Sequence, residues 1–188
     1  MKVFFFIVAV LLVSCTFEPQ KAYLLTPTGP APSRGGTAIG IGPITVADYL
    51  QRLEIPVQTA GNELEYAFEN LWAGTVESQL LGVVSANVGR RVGTGALYQY
   101  PWPASAPLDF QVEVEMRRLH STENGEVLID ASWQLYRLTG KTRKAVTSRS
   151  FTRVLPFEGV GFQPAIAAKS RAVDLLCAEI AGVIRGMR

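Results

Sequence analysis

The segment Asp109-Phe110-Gln111-Val112-Glu113-Val114-Glu115-Met116-Arg117 decides the fold of this chain. Its apolar residues alternate with charged or polar residues, which is the two-residue period of a β-strand with one buried face and one face in water. The alternation resumes over residues 127–136, after turn residues at 123–125. A second turn at residues 139–141 leads to a further strand over residues 144–154. We therefore predict three consecutive antiparallel strands.

Two amphipathic helices are predicted on either side of this segment. Apolar residues recur at three- and four-residue steps from Trp72 to Val88, and the pattern ends at Gly93. The second helix begins near Pro164, since proline is favoured in a first helical turn. Its apolar stripe consists of Ile166, Val173, Leu176, Cys177, Ile180 and Ile184. These patterns predict an α+β fold, with a mostly antiparallel sheet and two main helices packed on one face.

Shorter strands are predicted before and after the first helix. Residues 38–46 form one of them, with Ile39 and Ile41 on one face, and the glycines at 40 and 42 indicate a bulge or a close backbone approach. Residues 57–67 have the pattern of a hairpin, and residues 96–100 form a short strand.

The N-terminus has the pattern of a bacterial lipoprotein signal. Lys2 precedes an apolar run over residues 3–13, too short to cross a membrane, which needs about 20 residues. The run ends in Leu12-Val13-Ser14-Cys15, a lipobox in which the cysteine receives the lipid. The alternative is an ordinary secretory signal in which Cys15 is incidental.

We accordingly predict three parts of the chain. Residues 1–14 are a signal peptide, and residues 15–37 are a lipidated N-terminus and tether, rich in proline and glycine, with room for a first short strand. Residues 38–188 form a single α+β domain.

The composition excludes several classes of function. The formal net charge is +2 with scattered basic residues, so we expect no nucleic acid partner. The single histidine, His120, follows a strand and is predicted at the surface, and Cys177 is predicted to be buried. We find no metal-ligand spacing, no cofactor motif and no catalytic motif in the sequence, and a solvated sheet face explains Glu113 and Glu115. We predict a protein that is not an enzyme and needs no cofactor or metal.

An aromatic segment stands out at Tyr98-Gln99-Tyr100-Pro101-Trp102-Pro103. Prolines on both sides of Trp102 hold it extended, so its aromatic rings lose little entropy on binding a partner. The segment is either a binding surface or a loop packed against the edge of the sheet.

Several motifs, in order along the chain, resemble one family. They are Tyr23-Leu24-Leu25-Thr26-Pro27, residues 39–50, residues 62–67, Trp72-Ala73 and Tyr100-Pro101-Trp102-Pro103. Together they are similar to the PqiC/YmbA family of ABC-type transport auxiliary lipoproteins. The chain departs from the family pattern at Leu53, where we expect a proline.

The resemblance implies a non-enzymatic outer-membrane lipoprotein that faces the periplasm. Thr16, in place of an inner-membrane retention aspartate, fits that location. The implied partners are an MCE-domain periplasmic protein and an inner-membrane transport component, with a homo-oligomer also compatible. Such systems move lipids or other hydrophobic molecules between membranes and support envelope integrity.

The candidate sites follow from these expectations. Cys15 is the lipidation site, and the candidate docking residues are Tyr98, Tyr100, Trp102, Ile39, Ile41 and Tyr49. Two alternatives remain: a structural or assembly lipoprotein of an envelope complex, and a periplasmic binding module for a hydrophobic ligand.

Overall fold

One long strand, β6 (Phe110–Thr122), organises the sheet. It pairs antiparallel with β7 (Glu126–Thr139), which pairs antiparallel with β8 (Thr142–Pro156). This confirms the three predicted strands. The computed structural model describes residues 19–29, 35–140 and 142–187, so the predicted signal peptide and Cys15 lie outside the described residues.

The opposite edge of β6 pairs with two separate strands. Its first half pairs parallel with β2 (Ile39–Val46), and β2 in turn pairs parallel with β5 (Leu97–Gln99). Its last two residues pair parallel with β3 (Glu54–Gln58).

A second branch of the sheet extends from β3. β4 (Leu64–Trp72) pairs antiparallel with β3, as the hairpin pattern predicted, and β1 (Lys21–Tyr23) pairs parallel with β4. The eight-stranded sheet is therefore mostly but not wholly antiparallel. The parallel pairings were not expected, because side-chain periodicity indicates which face is buried but not which strand is the neighbour.

Two helices cover one face of the sheet and contact each other. α1 (Val76–Val92) begins after Thr75, whose hydroxyl accepts a hydrogen bond from the Ser78 amide at 3.2 Å, and ends before Gly93 in the left-handed conformation. Trp72 was predicted on this helix and lies instead at the end of β4, since the cap at Thr75 sets the helix start. α2 (Phe162–Arg185) begins close to the predicted Pro164.

The core lies between these helices and the sheet. Alternate residues of β7 are fully buried: Val127, Ile129, Ala131, Trp133 and Leu135. The indole of Trp133 donates a hydrogen bond to Glu179 on α2 at 3.2 Å. Cys177 is buried as predicted, and burial raises the pKa of its thiol. The predicted α+β fold is thus confirmed.

One charged residue, Lys169, is fully buried in this core on α2. Its Nζ lies 5.3 Å from the centroid of the Trp72 ring and has no hydrogen-bond partner among the described residues. Burial lowers the pKa of Lys169 to about 7, because the apolar surroundings disfavour the charged form.

The segment after β1 lies against both helices. The amides of Leu25, Thr26 and Thr28 donate hydrogen bonds to side chains of the two helices. The first reaches Gln79 on α1 at 2.8 Å, and the second reaches Ser170 on α2 at 3.1 Å. The described part of the predicted tether region therefore contacts the domain.

Candidate functional site

The sheet face opposite the helices, here called the open face, carries paired charges along β6 to β8. Arg143 donates a hydrogen bond to Glu113, and Arg117 lies 2.6 Å from a carboxylate oxygen of Asp130. The hydrogen bond from Arg117 holds the pKa of the Asp130 carboxyl below its usual range. Arg117 also lies 3.9 Å from Glu115. Glu113 and Glu115 are thus paired with arginines on a solvated face, as predicted.

Residues 98–103, here called the aromatic loop, begin in β5 and continue past its end, where Trp102 lies over Gly40 of β2. A Cβ atom added at Gly40 would lie 2.8 Å from Leu108 Cδ1 and 3.0 Å from Trp102 Cη2. At Gly42, where φ is +118°, it would lie 2.6 Å from Tyr100 Cβ. The register of β2 against β6 also shifts after Ile41. The two glycines therefore provide both the bulge and the close approach that the sequence predicted.

Tyr100 and Trp102 form one aromatic pair. Their ring centroids are 5.5 Å apart with an interplanar angle of 84°, an edge-to-face contact. The Tyr100 amide donates to the Ile41 carbonyl at 3.0 Å, which joins the loop to β2. Tyr100 is an exposed side chain, with 50 % of its surface accessible to solvent. Trp102 and Tyr98 are less exposed than Tyr100. The segment is partly packed on the sheet and partly open to solvent. It therefore has features of both predicted alternatives, a packed loop and an exposed aromatic surface.

The other three candidate docking residues are not part of this exposed aromatic surface. Ile39 and Ile41 are fully buried on the helix-covered side of β2 and have no surface to offer a partner. Tyr49 lies on a short 3-10 turn, Asp48–Leu50, beside the C-terminal end of β6. The structure therefore brings together Tyr98, Tyr100 and Trp102, places Ile39 and Ile41 on the paired strand beside them but buried, and leaves Tyr49 apart.

His120 is buried beneath Tyr49. It is 5 % exposed, with Nδ1 2.8 Å from the Tyr49 hydroxyl and Nε2 3.1 Å from Gln58 Oε1. Because Gln58 Oε1 can only accept, Nε2 carries the proton and Nδ1 accepts from the tyrosine. Burial lowers the pKa of His120 to about 4 and raises the pKa of Tyr49 to about 12, so both are neutral at pH 7.

The predicted surface position of His120 is thus wrong. A residue 71 positions earlier in the chain covers it, and no local pattern around His120 indicates that cover.

A cavity of about 370 Å³ lies near the start of α2. Its apolar lining includes Val57, Phe157, Val160, Phe162 and Ala165. Within residues 19–29, 35–140 and 142–187, no three His, Cys, Asp or Glu side chains cluster as a metal site. In the same ranges, no helix combines the length and apolar character needed to span a bilayer.

The fold and the surface together define an α+β domain with an aromatic segment packed on its sheet. The family model for the ABC-type transport auxiliary lipoprotein component matches residues 23–181, and the chain belongs to this family. The resemblance seen in the sequence is confirmed. The family is one of transport accessory lipoproteins and not of enzymes.

Two solved structures share the fold. One, of an uncharacterised protein, is 20% identical and covers 89% of this chain and 99% of its own, with a TM-score of 0.73. The other, XCC0632 from Xanthomonas campestris of the family DUF330, is 20% identical and covers 89% of this chain and 97% of its own, with a TM-score of 0.64. No curated protein sequence matches the chain.

Proposed function

We propose that this protein is an outer-membrane lipoprotein, anchored through Cys15 and facing the periplasm. It acts as an accessory subunit of an MCE/ABC-type system that moves lipids or other hydrophobic molecules between the two membranes and supports envelope integrity. The observation that carries the proposal is the family match over residues 23–181.

The aromatic loop is the proposed docking surface for the MCE-domain partner. Its exposed residue, Tyr100, is held by a backbone hydrogen bond to β2 and by the edge-to-face contact with Trp102. Aromatic side chains that are already positioned lose little conformational entropy on binding, which is why they dominate many interfaces.

Tyr100→Ala tests the docking surface. We expect it to weaken capture of the MCE-domain partner about tenfold, since an aromatic anchor contributes well over 1 kcal/mol to an interface. Tyr136→Ala is the matched control, because Tyr136 is on the open face of β7, under Arg143, and away from the loop. Equal capture by both variants and the wild type would remove the aromatic loop from the interface.

Cys15→Ser tests the anchor and its location. We expect the wild-type protein to incorporate labelled palmitate and to fractionate with the outer membrane, and the variant to lose both properties. Palmitate incorporation with recovery in the inner membrane would contradict the outer-membrane location while leaving the lipid anchor in place.

A second candidate function, a periplasmic module that holds a hydrophobic ligand, is favoured by the apolar cavity near α2. Ala165 lines this cavity, so Ala165→Leu would reduce its volume. If the cavity holds lipid, mass spectrometry of extracts from purified wild-type protein should detect lipid, and the variant should carry less. Partner capture without any bound lipid would favour docking or a structural role in an envelope complex.

A homo-oligomer is supported by the charges at the two edges of the sheet. The outer edge strand β8 carries basic residues and no acidic ones: Arg143, Lys144, Arg149 and Arg153. The distant hairpin of β3 and β4 carries acidic residues: Glu63, Glu65 and Glu69. Complementary edges of this kind allow head-to-tail contact between copies.

A charge exchange tests that contact. Arg149→Glu should lower the mass of the particle measured by light scattering, and the double variant with Glu65→Arg should restore part of it. A wild-type mass equal to one chain at every concentration would refute the oligomer.

A further inference from the structure

We propose that the loop of residues 157–161, here called the Val160 loop, contacts the surface of a zwitterionic phospholipid bilayer. The inference rests on the proposed lipid anchor at Cys15, and it adds which end of the domain faces the membrane. It concerns a surface separate from the aromatic loop, which lies beside the start of β6.

The Val160 loop presents an apolar side chain that is almost fully exposed to solvent. Val160 is 99 % exposed and lies between Gly159 and Gly161, whose φ values are +109° and +88°. These left-handed conformations are readily adopted only by glycine, and they hold the loop away from the core. Phe157 and Phe162 are half-buried beneath it. A fully hydrated valine contributes no burial to folding, so its side chain is available for an apolar contact outside the domain.

The N-terminal segment joins the domain beside this loop. Lys21, Ala22 and Tyr23 share one surface depression with Val160, and the Tyr23 and Phe162 rings lie 6.0 Å apart. Cys15 precedes Lys21 by six residues, a length that spans at most about 20 Å when fully extended. A lipid on Cys15 therefore brings this end of the domain to the membrane surface.

A second exposed apolar residue lies close to the same junction. Phe68 on β4 is 71 % exposed, and its carbonyl accepts a hydrogen bond from the side chain of Gln20 at 3.3 Å. Two residues further on, Asn70 pairs with Lys21 and lines the depression that holds Val160. Exposed apolar residues thus occur on both sides of the point where the chain leaves towards its anchor.

The charges at this end indicate which lipids it contacts. The described turns beside the Val160 loop carry exposed acidic residues at Glu63, Glu123, Glu126 and Glu158, and the adjoining strand β1 adds the exposed basic residue Lys21. Backbone hydrogen bonds hold these turns together, from Phe157 to Gly125 and from Glu123 to Gln58. Anionic headgroups would be repelled by the carboxylates, so the contact is apolar and suits a zwitterionic surface.

The test uses the lipidated full-length protein in vesicles of phosphatidylcholine and phosphatidylethanolamine. Val160→Cys is labelled with the fluorophore NBD, and Cys177 stays unlabelled because it is buried. Thr142→Cys, exposed at the far end of β8, is the matched control. We expect lipids spin-labelled near the headgroup to quench NBD at position 160 about threefold and to leave position 142 unchanged, since interfacial contacts reach about 5 Å into the bilayer.

Each outcome has a separate meaning. Protein that floats with the vesicles but is not quenched at position 160 overturns the proposal, with the anchor intact. Wild-type protein that fails to float refutes the anchor, whereas quenching of floated protein supports both. A disulfide between two Val160→Cys chains in detergent would assign the loop to a second copy. Stronger quenching on adding phosphatidylglycerol would contradict an apolar, zwitterionic contact.

Discussion

The two faces of the sheet are buried in different ways. The helix-covered face is closed by two long helices and filled with apolar side chains such as Trp133 and Leu135. Among the described residues, the aromatic loop covers the open face at Gly40 and Tyr49 covers it at His120. Between these covers it exposes paired charges such as Glu113 and Arg143.

In the part of the chain that the structure describes, a buried basic side chain lies on each face, Lys169 on one and His120 on the other, and their surroundings differ. Lys169 lies in the helix-covered core against Trp72 without a hydrogen-bond partner among the described residues. His120 lies under the open face with a partner on each ring nitrogen. The helix-covered face therefore buries most of the apolar surface that stabilises the fold, whereas the open face exposes polar and aromatic side chains to solvent.

The largest difference in stability loss between the two faces is expected when two aromatic residues on β7 are each replaced by alanine. Trp133→Ala should lower the free energy of unfolding by about 3–5 kcal/mol, because it leaves a cavity in a packed core. Tyr136→Ala, on the open face of the same strand, should cost less than about 1 kcal/mol. Urea unfolding of both variants measures this, and equal losses would show that the open face is as tightly packed as the core.

The rigidity of the aromatic loop is tested at Gly42. Gly42→Ala should destabilise the fold by about 2–3 kcal/mol, since the added Cβ collides with Tyr100 and φ is positive. Gly140→Ala is the control, because its φ is also positive and no heavy atom lies within 4 Å of the added Cβ. It should cost about 1 kcal/mol.

Trp102 fluorescence should change in the Gly42 variant alone. An unchanged spectrum with equal stability losses would mean that the loop is not held by its contact with β2.

Lys169→Met tests the buried cation of the helix-covered face. The pKa of Lys169 is about 7 in the folded protein and 10.5 when unperturbed, so folded-state stability rises between pH 7 and 10.5 and is lost as the pH falls through that range. The variant should therefore be more stable than the wild type by about 2 kcal/mol at pH 7, and less so towards pH 10.5. A destabilised variant at pH 7 would indicate that Lys169 makes a favourable contact.

The smallest change in stability is expected from the titration of His120 on the open face. Its pKa of about 4 lies below the unperturbed 6.5, so the unfolded chain binds more protons between those values. Stability should fall by about 1 kcal/mol as the pH drops from 6.5 to 4, because local opening of Tyr49 moderates the full shift. His120→Gln removes the titrating group, and urea unfolding across this range should then lose that slope.

The predictable part of the fold rests on repeating patterns. The alternation around Val112 and Val114 identified the buried side of β6, and the spacing in α2 identified its apolar stripe, because both periods follow from backbone geometry. Gly40 and Gly42 indicated the bulge, because glycine inside a strand often marks a bulge or a close approach of another segment. The aromatic loop could also be recognised locally, because its prolines and aromatic residues are adjacent in the sequence.

The unpredictable part depends on long-range contacts. Nothing near His120 indicates that Tyr49 covers it, and the burial of Ile39 and Ile41 follows from α1 packing over β2. Val160 has no periodic context, so only its position between α2 and the N-terminal segment makes it a candidate for membrane contact.

By itself, the sequence determined the fold class, the order of the main strands and helices, and membership of the transport auxiliary lipoprotein family. Only the tertiary structure decided which strands are parallel neighbours, which aromatic residues reach the surface and which end of the domain lies beside the N-terminal segment. The physical reason is that side-chain periodicity indicates which face of a single helix or strand is buried. The neighbours of that element, and the burial and pKa values of its residues, depend on segments distant in the chain that pack against the element.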